Sequence, residues 1–248
     1  MSGETPSSDL SIREPPRILV PIEVLEGQII PESLVEFLAP STVIVLGYHV
    51  IPEQTPAEQA SMQFEERAET AVADIAANFK AVGRTVETRV AFTHDREQTI
   101  ERVASDVGAT AVLLPNPVGS VSDVLVPIRG VVDEQRLADL VATLLADTDG
   151  TVTLWALRAG AETGEIRDRM DRAADLLRDR GLPPERIRTE ESVVDAPIRA
   201  IVDRSGEFDV IVMGEGKQTV LASILGDASD RVADGAVAPV LVVRDRTV

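Results

Sequence analysis

Short apolar runs alternate along the chain with longer stretches in which apolar residues recur every three or four positions. The runs are rich in Val, Ile and Leu and bounded by Pro, Gly or charge. They predict strands over 17–22, 42–46, 85–92, 111–114, 123–128, 151–155, 187–194, 210–213 and 239–243. The longer stretches predict helices over 29–38, 57–82, 98–107, 132–145, 162–180, 197–203 and 227–234. Ala68, Ala71, Val72, Ile75, Ala76 and Phe79 share one face of the second helix, and Ile166, Met170, Ala173, Ala174 and Leu177 share one face of the fifth.

Strands alternating with helices point to parallel sheets covered on both faces, with right-handed crossovers. The pattern also repeats. Leu19-Val20-Pro21-Ile22 returns as Leu125-Val126-Pro127-Ile128, and the later elements follow in the same order. The expected fold class is therefore α/β, with two doubly wound parallel-sheet domains. The expected boundaries are a disordered tail over 1–16, a first domain over 17–120 and a second over 121–248. Only Pro115 to Ser122 separates the fourth strand of the first unit from the next Leu-Val-Pro-Ile strand. The first domain is thus expected to be truncated, lacking its last helix and strand.

Composition narrows the chemistry. The chain has 248 residues, 44% hydrophobic and 27% charged, which is a globular mixture. It has no cysteine, which removes disulfides, thiolate metal sites and a cysteine nucleophile, and its only histidines are His49 and His94. Lys and Arg number 24 against 42 Asp and Glu, a net charge of -18. Such a surface repels phosphate backbones and anionic headgroups, so neither nucleic acid nor a membrane surface is an expected partner. No apolar run nears the roughly 20 residues that span a bilayer. The start lacks a basic and an apolar signal region, so the expected location is cytoplasmic, with no direct membrane insertion. Lys80 and Lys217 are the only lysines; this acidic, lysine-poor composition resembles that of proteins from salt-loving archaea.

The opening Leu-Val-Pro-Ile strand, Phe208 to Gly214, Gly226 to Val232 and Ala238 to Val243 together resemble the universal stress protein family. The second half matches over nearly its whole length and the first as a degenerate copy, a tandem arrangement. The resemblance implies the adenine nucleotide alpha hydrolase-like fold, with strand order 3-2-1-4-5 and pairing of units through the fifth strand. It also implies a nucleotide motif of Gly-x-x-Gly, nine residues, then Gly-Ser or Gly-Thr, with an aspartate after the first strand against adenine. The matching positions here are Gly214, Gly216, Lys217, Gly226, Asp227 and Ser229. One residue is missing between the first two glycines. Asp227 replaces the hydroxyl, in the first turn of a helix where a carboxylate contributes about 0.3–1 kcal/mol and competes with a bound phosphate. Glu215 adds negative charge, and Arg129 stands where the aspartate belongs. Loss of ATP binding is the expectation, so no cofactor is assigned. The alternative is a sensor of ATP or AMP in the second domain, with Lys217 neutralising phosphate.

Other motifs fail. Gly216-Lys217 lacks the glycine at Ile211 and the hydroxyl at Gln218 that a P-loop needs. There is no Gly-x-Ser-x-Gly elbow, Asp95 beside His94 reads as a helix cap, and His49 reads as a strand-end residue. Arg167, Arg169, Arg172, Arg178 and Arg180 alternate with acids, so pairs such as Glu165 with Arg169 and Asp168 with Arg172 predict a solvated, salt-bridged helix. The resulting expectation is a non-enzymatic regulatory or interaction protein. By analogy with related tandem domains fused to permeases, it regulates a membrane transporter. Residues 239–243 would form an exposed sheet edge and pair with the same strand of a second chain, giving a homodimer.

Overall fold

The computed structural model describes residues 10–27, 29–129, 132–158, 164–215 and 238–245. Nine strands are found: β1 (Arg17–Glu23), β2 (Thr42–Val50), β3 (Glu87–Thr93), β4 (Ala111–Leu114), β5 (Asp123–Ile128), β6 (Thr151–Arg158), β7 (Ile187–Val193), β8 (Val210–Gly214) and β9 (Val240–Val243). Among the described residues six α-helices lie between them: α1 (Glu32–Leu38), α2 (Ala57–Ala81), α3 (Arg96–Asp106), α4 (Glu134–Leu145), α5 (Glu165–Asp179) and α6 (Pro197–Arg204). The expected helix over 227–234 lies outside the described residues. Caps start two of the helices as the sequence requires. The Asp95 carboxylate accepts from Gln98 N at 2.9 Å, and Asp133 accepts from Gln135 N and Arg136 N, both at 3.1 Å.

All nine strands join one sheet in the order β3-β2-β1-β4-β9-β8-β5-β6-β7. Every pairing is parallel except β4 with β9. Side chains alternate between two buried faces. Ile18, Val20 and Ile22 of β1 join a core that also takes in α1, α2, α4 and α5 and runs without a break beneath both halves. Leu19 points the other way, onto Ile100 and Ala104 of α3, while Leu125, Ile211 and Met213 pack with Ile201 of α6. Burial on both faces explains why these strands read as unbroken apolar runs.

The seam between the halves corrects the expected homodimer through residues 239–243. Neither edge of β9 is open: β8 pairs with one, and β4 takes the other, with Ala111 opposite Val243 and Leu114 opposite Val240. The cause is the shortened first unit. No helix or strand lies between Leu114 and Asp123, so the outer edge of β4 meets β9 directly.

The expected tail over 1–16 is also corrected over residues 10–16, which are bound along the second half. Arg13 N and Glu14 N donate to the Asp139 carboxylate at 3.2 and 3.0 Å, and Ser11 N donates to Arg180 O at 3.3 Å. Asp139 in turn accepts from Arg180 Nε at 2.6 Å, and each side chain is only 1% exposed. Arg180 therefore belongs to the interior, contrary to its expected place in a solvated cluster. The expected pairs along α5 are redirected too. Arg169 and Arg172 both reach Glu134 of α4, and Arg167 reaches Glu191 of β7.

Candidate functional site

In the second half the chain leaves β5 towards β6 on one side and reaches β8 on the other, so the strand order reverses between β5 and β8. Ligands of doubly wound sheets bind at the carboxyl ends of strands at such a point. Three elements meet there: the end of β5 with Arg129, the approach to α4 with Val132 and Asp133, and the end of β8 with Gly214 and Glu215.

Gly214 is closely packed. A Cβ placed on it would lie 2.5 Å from Val132 Cγ2 and 2.7 Å from Val132 Cβ. Only glycine lets the approach to α4 lie this close to β8. The valine thus lies directly against the Gly214 backbone. The Asp133 carboxylate accepts from two of the first amides of α4, those of Gln135 and Arg136.

Glu215 is half-buried, and loss of solvent pushes its carboxyl above the ordinary range. Arg244 and the hydrogen bond from the Asp245 amide oppose that shift, while the charges of Glu101 and Asp245 add to it. Asp245 N donates to Glu215 Oε2 at 3.3 Å. Arg244 also crosses the seam to Glu101 and, at 3.2 Å, to Ser105 Oγ of α3, and its carbonyl accepts from Arg136 Nη1 at 3.0 Å. Arg136 is held by Glu14 at 2.9 and 3.0 Å, and this contact raises its pKa. Arg129 differs: burial lowers its pKa.

Of the sequence-predicted site residues, Gly214 stands at this point. Gly216, Lys217, Gly226, Asp227 and Ser229 lie outside the described residues. Sequence reasoning missed Val132, whose role is set by a contact with a glycine far along the chain. It also missed the corner of Glu14, Arg136, Arg244 and Glu101, drawn from four separate stretches of the chain.

The equivalent place in the first half is filled by the chain itself. Glu23, at the end of β1, accepts from Val50 N at 3.3 Å and stands 3.6 Å from His49 Nδ1. His49 is edge-on to Phe64 and Phe92. Beyond β4, Asn116 Nδ2 donates to Ala238 O at 3.4 Å, and Ser33 Oγ donates to Val118 O at 3.2 Å. The antiparallel seam brings the start of β9 to the end of β4, where a ligand crevice would open. His94 Nδ1 lies 3.2 Å from Ile51 O, beside the capping Asp95. Among the described residues no cluster of His, Asp and Glu has the closeness to hold a metal ion, and no helix is long and apolar enough to cross a membrane.

The sequence matches no family model and no curated protein. Solved structures share its architecture. A universal stress protein from Archaeoglobus fulgidus superposes with a TM-score of 0.55 at 15% identity, over 92% of this chain and 98% of that one. A functionally unknown protein from Pseudomonas aeruginosa gives a TM-score of 0.50 at 17% identity, over 94% and 93%. The cytoplasmic domain of a prokaryotic cation chloride cotransporter gives 0.51 at 14% identity, over 94% and 96%. The fold is that of universal stress proteins, an α/β fold with a mostly parallel central sheet.

Proposed function

We propose that the chain is a non-enzymatic regulatory or interaction protein, built from two units over 17–120 and 121–248, that has lost ATP binding. The observation that carries this reading is Val132 packed onto Gly214, where a nucleotide-binding loop would need bare backbone. Arg129 in place of an acid after β5 supports it, since a guanidinium cannot accept a hydrogen bond from an adenine amino group. Asp227, a carboxylate where the motif has a hydroxyl, supports it from the sequence. Calorimetric titration with ATP and with AMP is expected to give no saturable heat. Micromolar affinity for either would overturn the reading and favour the alternative, an adenine-nucleotide sensor using Lys217.

Regulation of a membrane transporter is a form of this role that one structural neighbour supports. A cotransporter's cytoplasmic domain matches the full architecture, both halves included. Cation uptake by cells with and without the chain tests it; equal uptake argues against it. We place the chain in the cytoplasm of a salt-loving archaeon, in keeping with its net charge of -18 and its two lysines.

A further inference from the structure

A groove of about 400 Å³ opens on the first half, between the single 3-10 turn Val24–Glu26 that follows β1 and the flank of α2. Val24, Leu25 and Ala71 form its apolar floor, and Glu66, Arg67 and Asp74 of α2 stand along one wall. Gly47 of β2 fixes that floor. A Cβ on it would meet Val24 Cγ1 at 2.8 Å and would also strike Val72 Cγ2, so only glycine seats the turn and α2 this close on the sheet. Met62, one turn ahead of Glu66 on the same ridge of α2, is 88% exposed, and Ile29, three residues past the turn, is 77% exposed. They are the two most exposed large apolar side chains among the described residues. Apolar side chains left in solvent beside a groove with an apolar floor mark a contact surface.

Charge selects the occupant. Residues 23–74 hold ten acids and, besides His49, one base, Arg67. Elsewhere carboxylates are shared among arginines: Glu134 reaches Arg169 and Arg172, and Glu191 reaches Arg158 and Arg167. This stretch carries a single arginine of its own to do the same. A second copy of the chain would set two such acidic surfaces face to face and be repelled.

We propose that this groove docks a basic amphipathic helix of a partner protein, with apolar side chains on the floor and Lys or Arg against Glu66 and Asp74. The ridge from Met62 to Asp74 is about 18 Å long, enough for about three turns of a bound helix. The inference goes beyond the reading of the second-half crevice and stands whether or not ATP binds there.

The test uses the full chain and a peptide of about 14 residues, made of Leu and Lys with the leucines at helical spacing, beside a scrambled peptide of the same composition. Fluorescence anisotropy follows the titration in molar KCl, where the Debye length is about 3 Å and the general pull of a net charge of -18 is screened. The parent is expected to bind the helical peptide saturably and the scrambled one more weakly. Met62→Ser and Glu66→Lys should each weaken binding about fivefold or more and melt with the parent, because both side chains are exposed. Val193→Ser and Asp175→Lys, at exposed positions of the second half, should leave binding unchanged. Lack of saturable binding overturns the docking site, as do equal affinity for the scrambled peptide, undiminished binding to Met62→Ser and Glu66→Lys, or equal weakening by the second-half variants. A parent that runs as a dimer in light scattering, and as a monomer once Met62 is serine, would assign the groove to a second copy and overturn the basic partner. Calorimetric heat with ATP would bear on the second-half crevice alone.

Discussion

One added methyl group should disturb the carboxyl end of β8. Gly214→Ala would force Val132 to move, and overpacking of this kind costs about 1–3 kcal/mol. Val132→Ala in the same chain should restore part of the loss in chemical denaturation; equal instability of single and double variants would show that the contact is not the cause. Asp139 is a second sensitive point. Asp139→Ala leaves Arg180 charged and buried and frees the amides of Arg13 and Glu14, so a loss of about 3–5 kcal/mol is expected. Residues 10–16 should become protease-sensitive at the same time. Glu215 supplies a pH dependence. Its carboxyl is raised in the fold, so the fold favours the protonated form. This contribution is complete below the unfolded value of about 4.5 and is lost as pH rises through the higher folded value. Glu215→Gln should therefore melt above the parent at neutral pH and approach it in acid; a difference independent of pH would contradict the assignment. None of these three roles was legible in the sequence. Asp139 and Arg180 look like surface charges on amphipathic helices, and only the path of residues 10–16 across them explains their burial.

Single elements were far easier to read. The inner strands are covered on two faces, so their apolar runs are continuous, and helices such as α5 carry one apolar stripe; both patterns are local. The partner of a strand is not local, which is why β9 was expected at an open edge. With β4 in that place, Leu241→Asp should unfold the protein by putting a charge against β4, β8 and the shared core. Light scattering on folded parent and on milder variants such as Leu241→Val should give the same mass. A mass that falls with the variant would restore the pairing of two chains. The arginines of α5 make the same point more weakly. Their spacing promised contacts along the helix, but Glu134 on α4 offers Arg169 and Arg172 a shared carboxylate. Glu134→Gln should change stability only slightly, because Arg172 is largely exposed and solvent screens its pair.

For the whole molecule, charge is the property that the sequence states outright. A net of -18 repels itself at low ionic strength, and at 1 M salt the Debye length falls to about 3 Å. The melting temperature should rise steadily from dilute buffer to molar KCl; an unchanged value would mean that ion pairs such as Arg136 with Glu14 already neutralise the repulsion locally. The site was legible only in outline. Gly214 could be found by its place after an apolar run, whereas the valine that covers it could not.

The position of β9 also sets the order in which the protein can be made. The strand that comes last in the chain is the fifth of nine across the sheet. Until residues 240–243 have left the ribosome, β4 and β8 each present an unpaired edge, and the two halves have no strand to join them. From the completion of β4 until β9 emerges, the growing chain keeps the middle of its sheet open. In that interval it is exposed to pairing with other nascent chains, a hazard that ends when one four-residue strand slides into place.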